Sequence, residues 1–182
     1  SCALPKKMIL EMAQREDVQL IGLVTQAQDS MDIAHQTVNA NWVWPWGTIG
    51  WGERIGVIEA NGRAAVNNPY LRGIVQDKQN VCSEAKSHST AVCGMVRSRH
   101  GFHRGIAYGA RVRVGGSCGG WLNHLQSAAE RAIDWGATVI NCSWGHSRDP
   151  GQPGADEKTW DTLVYNNRTT ICFAAGNSGR GD

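Results

Sequence analysis

Apolar and polar residues alternate along the chain in blocks that predict strands and helices in turn. Four short apolar runs rich in β-branched residues have the length of buried strands: 54–60, 110–114, 138–144 and 169–175. Between them, apolar residues recur with helical spacing at 87–97, 121–135 and 156–166. Alternating strands and helices are typical of parallel βαβ units. The pattern therefore predicts an α/β fold, a parallel β-sheet flanked by helices.

The first fifty or so residues follow a different pattern. Residues 5–17 show one apolar helical face, and residues 29–38 show a weaker one. Four of the eight tryptophans lie between residues 42 and 51, where Pro45 and Gly47 exclude a regular helix. We expect residues 1–52 to form a helical and Trp-rich segment that packs on a domain formed by residues 53–182. The tryptophans either cover the core or meet a partner.

Composition and charge narrow the class of protein. The 182 residues are 41% hydrophobic and 19% charged, which is typical of one globular domain. The net charge of +2 gives no reason to expect a nucleic acid or an anionic membrane as partner. No apolar run approaches the ~20 residues that cross a bilayer, so we expect no membrane span.

Six cysteines occur and none forms a C-x-x-C pair, so the sequence predicts neither a zinc ribbon nor a redox motif. Three lie among apolar neighbours in predicted helix or strand, where small buried side chains are expected: Cys93, Cys142 and Cys172. The other three lie in loop-like sequence: Cys2, Cys82 and Cys118. One pair among these three is available for a disulfide. The sequence leaves the pair open, and with it the redox compartment.

Chemistry is expected at the carboxyl ends of the strands, because an open parallel sheet places its site there. Five segments, in the same order along the chain, resemble the motifs of subtilisin-like serine proteases: 55–62 (IGVIEANG), 87–94 (SHSTAVCG), 105–110 (GIAYGA), 139–145 (VINCSWG) and 173–179 (FAAGNSG). The resemblance covers residues 53–182. It implies a subtilisin-like fold that is incomplete in this chain, and a protein or peptide as substrate.

The resemblance also implies catalytic roles. His88 is the expected general base, and Asn177 the expected oxyanion donor. Glu59 is the expected acid that orients the histidine, although the family has aspartate there and this side chain is one methylene longer. Asp77 and Glu84 are rivals for that role, but neither ends an apolar strand.

Substrate contacts follow from the same resemblance. One segment is expected to pair with the substrate backbone as an added strand: Ser117, Cys118 and Gly119. A second is expected to form the opposite wall: Ser143, Trp144 and Gly145. A third is expected to line the primary specificity pocket, where small residues leave room for a large side chain: Ala174, Ala175 and Gly176.

The family's nucleophilic serine belongs to a Gly-Thr-Ser motif well beyond the asparagine segment. Ser178 does not replace it, because Arg180 stands where a nucleophile motif has its second glycine. We expect the serine in the C-terminal half of the same precursor, as a second chain that completes the sheet, or in a part removed from this sequence. The acyl-enzyme is compatible with hydrolysis and with peptide ligation. The alternative is a pseudoprotease, a binding module with this fold and little or no catalysis.

No cofactor or metal is expected. The glycines at 115–120 lack the G-x-G-x-x-G spacing of a dinucleotide site. Family members often hold calcium near the histidine helix, but here Tyr70 follows Pro69 where a carboxylate is usual. The loop 97–104 is basic and repels a cation, and we expect its two histidines to be solvated.

Overall fold

The computed structural model describes residues 35–145 and 155–175. The strands are β1 (Arg54–Glu59), β2 (Val75–Gln76), β3 (Arg111–Gly116), β4 (Val139–Cys142) and β5 (Thr170–Phe173). The helices are α1 (Ala40–Val43), α2 (Ser87–Arg97), α3 (Leu122–Asp134) and α4 (Ala155–Asn167). The strands form one parallel sheet in the order β2-β3-β1-β4-β5. The predicted α/β class is confirmed.

Every predicted strand and helix after residue 53 is present, with ends that differ by at most two residues. Strand β2 was not predicted, because two residues carry no periodicity. It is held by the Gln76 side chain, whose Oε1 accepts the Ala64 N–H at 3.1 Å and whose Nε2 donates to the Gly62 carbonyl at 2.8 Å. The predicted helix at 5–17 lies outside the described residues, as does the predicted helix at 29–38 up to residue 34.

The Trp-rich segment contains short helical turns that were not expected from the sequence. Helix α1 has only four residues, and a 3₁₀ turn at Trp44–Trp46 follows it through Pro45. Proline is tolerated at the start of such a turn, because its missing N–H would have no partner there. Trp44 is half-buried, whereas Trp42 and Trp46 are exposed.

The core lies on both faces of the sheet, because successive residues of a strand point to opposite sides. The face covered by α3 and α4 buries Ile58, Leu125, Ala128, Ala129, Ala132, Ala137, Ile140, Cys142 and Trp160. The face covered by α2 buries Val57, Ala64, Leu71, Ile74, Val92, Cys93, Val112 and Val114. Every helix in the described ranges is too short or too polar to cross a membrane.

Two of the three cysteines expected to be buried are buried, and one is not. Cys93 and Cys142 are buried free thiols, and burial raises the pKa of each to about 12. The expectation for Cys172 is wrong, because its side chain is exposed. Cys172 lies on β5, which pairs with β4 alone within the described sheet.

The region where family members hold calcium contains a buried arginine. The Arg97 side chain is buried, and its Nε donates to the Ala110 carbonyl at 2.6 Å. Its Nη1 donates to the Arg72 carbonyl. The Tyr70 and His100 rings meet edge to face at 4.6 Å. Within residues 35–145 and 155–175, no three metal-ligating side chains cluster. The Arg97 guanidinium thus places a positive charge beside the Ala110 and Arg72 carbonyl groups.

Replacing Arg97 by methionine is expected to lower the free energy of unfolding by about 3 kcal/mol, because two carbonyl groups lose a charged donor and a shape-matched side chain cannot replace it. Urea unfolding measures the change. Arg72→Met is the matched control, because the Arg72 side chain is exposed and it should stay within about 0.5 kcal/mol of the parent. Equal effects of the two substitutions would contradict the assigned role. A calcium chelator should leave the unfolding curve unchanged.

Candidate active site

A carboxylate and a histidine meet at the carboxyl edge of the sheet. Glu59 ends β1, and His88 lies in the first turn of α2. The distance from His88 Nδ1 to Glu59 Oε2 is 2.8 Å. The Glu59 side chain is 1% exposed and the His88 side chain 60% exposed. With Nδ1 donating to the carboxylate, Nε2 is the nitrogen left to exchange a proton at the surface.

The start of α2 is tied to the segment that follows β1. The Thr90 hydroxyl donates to the Lys86 carbonyl at 2.7 Å and accepts the Ala65 N–H at 2.9 Å. Lys86 and Thr90 lie two residues before and after His88, and Ala65 lies on the segment that follows Glu59. The position of His88 therefore depends on the backbone of α2 and of the segment after β1, as well as on the 2.8 Å contact with Glu59.

Burial dominates the electrostatics of Glu59. Removal from water raises the pKa of its carboxyl group, while the His88 ring and the Ser143 backbone amide act to lower that pKa. Oε1 is buried and has no hydrogen-bond partner in the described part of the chain. A buried carboxylate with so few donors gains most from a positive imidazolium.

The backbone of β3 approaches Glu59 unusually closely. Gly116 pairs with Glu59 in the sheet and has a φ of 148°. A Cβ atom added at Gly116 would lie 1.8 Å from the Glu59 carbonyl oxygen. Sequence reasoning did not single out Gly116 as a site residue. The consecutive glycines at the end of a predicted strand were the available signal.

Ser117 belongs to the segment predicted to pair with the substrate backbone. This residue is fully buried, its N–H donates to the Glu59 carbonyl at 3.2 Å, and its Oγ accepts the Trp121 N–H at 2.9 Å. Both groups of Ser117 are thus used within the protein, and its contact with a substrate stays a prediction. Cys118 and Gly119 are exposed. The Cys118 N–H donates to the Asn80 carbonyl at 2.6 Å.

Cys118 forms a disulfide with Cys82, across 36 residues of sequence. Of the three loop cysteines, these two were brought together, and Cys2 lies outside the described residues. The bridge joins the segment after β3 to the loop that leads into α2. It therefore links the predicted substrate segment to the element that carries His88.

Reducing this bridge is expected to destabilise the fold by about 2–4 kcal/mol, because a loop of this size gains much conformational freedom when the chain unfolds without it. The comparison is the double variant C82S/C118S against C172S, whose thiol is exposed and free. Thermal unfolding with and without reductant measures both. A C172S effect as large as that of the double variant would contradict the prediction.

The second predicted wall lies at the end of β4. Trp144 is half-buried, and its Nε1 donates to the Ile58 carbonyl at 2.9 Å. Its ring lies 5.8 Å from that of Trp160 and 5.4 Å from that of Phe173. Asn141 donates to the Ser143 hydroxyl at 2.8 Å, and Gly145 is exposed. The indole fixes the segment beside the last residues of β1.

Part of the segment predicted to line the primary specificity pocket lies beyond the described residues. Ala174 and Ala175 are exposed, and the Ala174 N–H donates to the Cys142 carbonyl at 3.0 Å. Gly176 and Asn177 lie outside the described residues, so the expected oxyanion donor stays a prediction.

The rival acids do not contact His88. Asp77 is buried, with Oδ2 2.8 Å from Arg131 Nε and Oδ1 3.6 Å from Arg113 Nη2. It also accepts the N–H groups of Lys78 and Gln79, so it stabilises the turn after β2. Glu84 is exposed. Among the described acids, Glu59 is the one bonded to the histidine.

The parallel sheet and the carboxylate–histidine pair at its edge define the subtilisin-like class of fold. A model of the subtilase family matches residues 57–182, and the chain belongs to that family. No curated protein matches the chain in sequence.

Solved structures of subtilisin-like proteases share the fold. The prenylagaramide maturation protease PagA is 23% identical with a TM-score of 0.65, over 77% of this chain and 51% of that one. The self-cleaved protease domain of PatA is 21% identical with a TM-score of 0.61, over 72% of this chain and 52% of that one. MycP1 from Mycobacterium smegmatis is 19% identical with a TM-score of 0.62, over 86% of this chain and 48% of that one. The chain thus spans about half the length of these proteins.

Proposed function

We propose that this chain is the N-terminal part of a serine endopeptidase that cleaves peptide bonds through an acyl-enzyme. The observation that carries the proposal is the 2.8 Å contact between a buried Glu59 and an exposed His88 at the carboxyl edge of the sheet. The nucleophilic serine is supplied by the C-terminal half of the same precursor.

In the proposed mechanism, the serine hydroxyl attacks the scissile carbonyl carbon while His88 Nε2 takes its proton. Glu59 holds Nδ1–H and stabilises the imidazolium that forms. Asn177 donates its side-chain amide to the oxyanion. The imidazolium then protonates the leaving amine, and water, activated by the same nitrogen, hydrolyses the ester. An amine in place of water would give ligation instead.

The exposure of strand β5 supports the proposal that a partner completes the sheet. Most of β5 is exposed, although the strand is apolar and rich in β-branched and aromatic side chains; the exposed residues are Thr170, Cys172 and Phe173. An uncovered apolar edge strand invites pairing with another strand. The chain's coverage of about half of PagA and PatA is consistent with this, and the PatA structure is that of a self-cleaved domain.

The substrate is proposed to bind as an extended peptide between the segments that follow β3 and β4. Gly119 and Gly145 are exposed on these two segments and carry no side chain that would oppose a peptide backbone. Backbone pairing of this kind gives affinity with little sequence preference.

Labelling with a fluorophosphonate tests the proposal on the intact protein. The reagent should label one serine outside residues 1–182, and the labelling rate should fall by at least about 10³ in H88A, because the serine loses its base. Labelling of a serine within the 182 residues would overturn the divided site.

A pseudoprotease is favoured by one observation, the unpartnered Oε1 of a glutamate where the family has aspartate. Absence of labelling in the intact protein, together with retained binding of a peptide, would support that second function.

A further inference from the structure

A second site lies at the opposite edge of the sheet from His88. An open cavity of about 450 Å³ is lined by Ile49, Trp51, Arg99, Arg104, Tyr108 and Gly109. The Gly109 N–H donates to the Ile49 carbonyl at 2.8 Å, which joins the segments that enter β3 and β1. Helix α2 separates this region from His88, since its 11 residues span about 16 Å.

Arg104 is held in place by aromatic rings. Its guanidinium carbon lies 4.8 Å from the Tyr108 ring centroid and 5.7 Å from that of Trp44. Trp44 is itself anchored, because its Nε1 donates to the Ile106 carbonyl at 3.1 Å. Cation–π contacts fix the guanidinium plane without using its N–H groups. Arg104 thus presents donors that no hydrogen bond or acidic group within the described ranges occupies.

Arg99 brings a second cation to the same cavity. Its Nε reaches the Tyr108 carbonyl at 3.4 Å, a long hydrogen bond that leaves its terminal nitrogens available. Arg99 is exposed and has no acidic partner among the residues the structure describes. Two guanidinium groups around one cavity form a site for a group that accepts several hydrogen bonds and carries negative charge.

The surrounding chain concentrates positive charge. Residues 85–129 contain no aspartate or glutamate, and they contain Lys86, Arg97, Arg99, Arg104, Arg111 and Arg113. Glu53, two residues after Trp51, accepts the Thr138 hydroxyl at 3.0 Å. The net charge of the whole chain is only +2, so this is a local feature.

The other wall of the cavity is apolar. Trp51 is 74% exposed and Ile49 is half-buried. No acidic side chain in the described residues neutralises the two arginines of the cavity. We propose that this cavity binds an acidic peptide segment, with a carboxylate between Arg99 and Arg104 and a neighbouring apolar side chain against Trp51. An apolar wall beside paired arginines favours such a peptide over a phosphodiester backbone, which needs an extended basic surface.

This site goes beyond the proposed peptidase activity and does not depend on it. It lies away from the His88 edge, so it would hold a part of a substrate or partner remote from the bond that is cleaved. Occupation of both sites by one polypeptide would raise its effective concentration at the cleft.

Fluorescence anisotropy with the intact protein tests the proposal. The probe is a fluorescein-labelled peptide with a Glu-Leu-Glu core, and the matched peptide has Gln-Leu-Gln. The acidic peptide should bind at least about tenfold more tightly, because a bidentate carboxylate–arginine pair is lost in the amide. Arg104→Gln should weaken binding of the acidic peptide by about tenfold or more and remove the difference between the peptides.

Arg168→Gln is the matched control, because Arg168 is exposed beyond α4 and the change in net charge is the same. It should bind like the parent, and H88A should also bind like the parent, which separates this site from the catalytic one. Equal loss in R168Q and R104Q would reduce the effect to net charge and overturn the proposal. Competition by inorganic phosphate as strong as by the acidic peptide would overturn it in favour of a general anion site. Equal affinity for both peptides would also overturn it.

Discussion

Peptide hydrolysis by the intact protein is expected to fall by about 10⁴ when Glu59 is replaced by glutamine, the size of effect known for the equivalent amide substitution in a serine protease triad. The amide keeps the shape of the side chain but carries no charge, so it neither selects the Nδ1–H tautomer nor stabilises the imidazolium. Values of kcat/KM for a peptide substrate measure the effect. Glu59→Asp, which keeps the charge and shortens the reach, should retain more activity than Glu59→Gln.

The same substitution should not unfold the protein. Burial raises the pKa of the Glu59 carboxyl group above its ordinary value of 4.5, so ionisation costs stability in the folded state. This contribution is most favourable below pH 4.5 and declines as the pH rises through the raised folded pKa. E59Q removes that decline, and its unfolding free energy at neutral pH should equal or exceed that of the parent.

Loss of activity and stability together in E59Q would contradict this account, because it would make Glu59 a structural residue. Full activity in E59Q would contradict the assigned orienting role and leave His88 without an acidic partner. H88A gives the reference for the loss of the base itself, and its activity should be no higher than that of E59Q.

Replacing Gly116 by alanine is expected to destabilise the fold by about 4 kcal/mol or more. The added Cβ would lie 1.8 Å from the Glu59 carbonyl oxygen, so β1 and β3 must separate where they pair. The φ of 148° adds a backbone penalty for any residue with a side chain. Urea unfolding and the temperature midpoint measure the loss.

Gly94→Ala is the matched control with an effect of the opposite sign. Gly94 lies within α2, and an added Cβ meets nothing within 4 Å. Alanine in a helix interior is favoured over glycine by about 0.5–1 kcal/mol, so this variant should be slightly more stable than the parent. Similar effects of G116A and G94A would show that the β1–β3 approach is not as close as described.

The periodicity of apolar residues predicted most of the fold. The strands at 54–59 and 170–173 and the helix at 87–97 follow from it, because burial on one or both faces leaves a repeat in the sequence. Strand β2 has two residues and left no such repeat. The short turns of the Trp-rich segment were not predicted, because Pro45 and Gly47 were interpreted only as excluding a regular helix.

The candidate site was predicted in part. The positions of Glu59 and His88 at a strand end and a helix start were set by local pattern and family resemblance. That the longer glutamate reaches Nδ1 at 2.8 Å depends on how β1 and α2 pack, which no local pattern contains. No local pattern indicated either that the Ser117 N–H donates to the Glu59 carbonyl and its Oγ accepts the Trp121 N–H, and its contact with a substrate stays a prediction.

The sequence by itself determined the order of strands and helices, the types of residue at the strand ends and the family. Tertiary structure decided which groups meet: the Cys82–Cys118 pair, the burial of Arg97 under two carbonyl groups, the exposure of Cys172 on β5, and the two arginines that share a cavity. The physical reason is that secondary structure follows from the spacing of side chains along the chain. Burial and pairing instead depend on segments far apart in sequence, whose approach is set by the packing of the whole sheet.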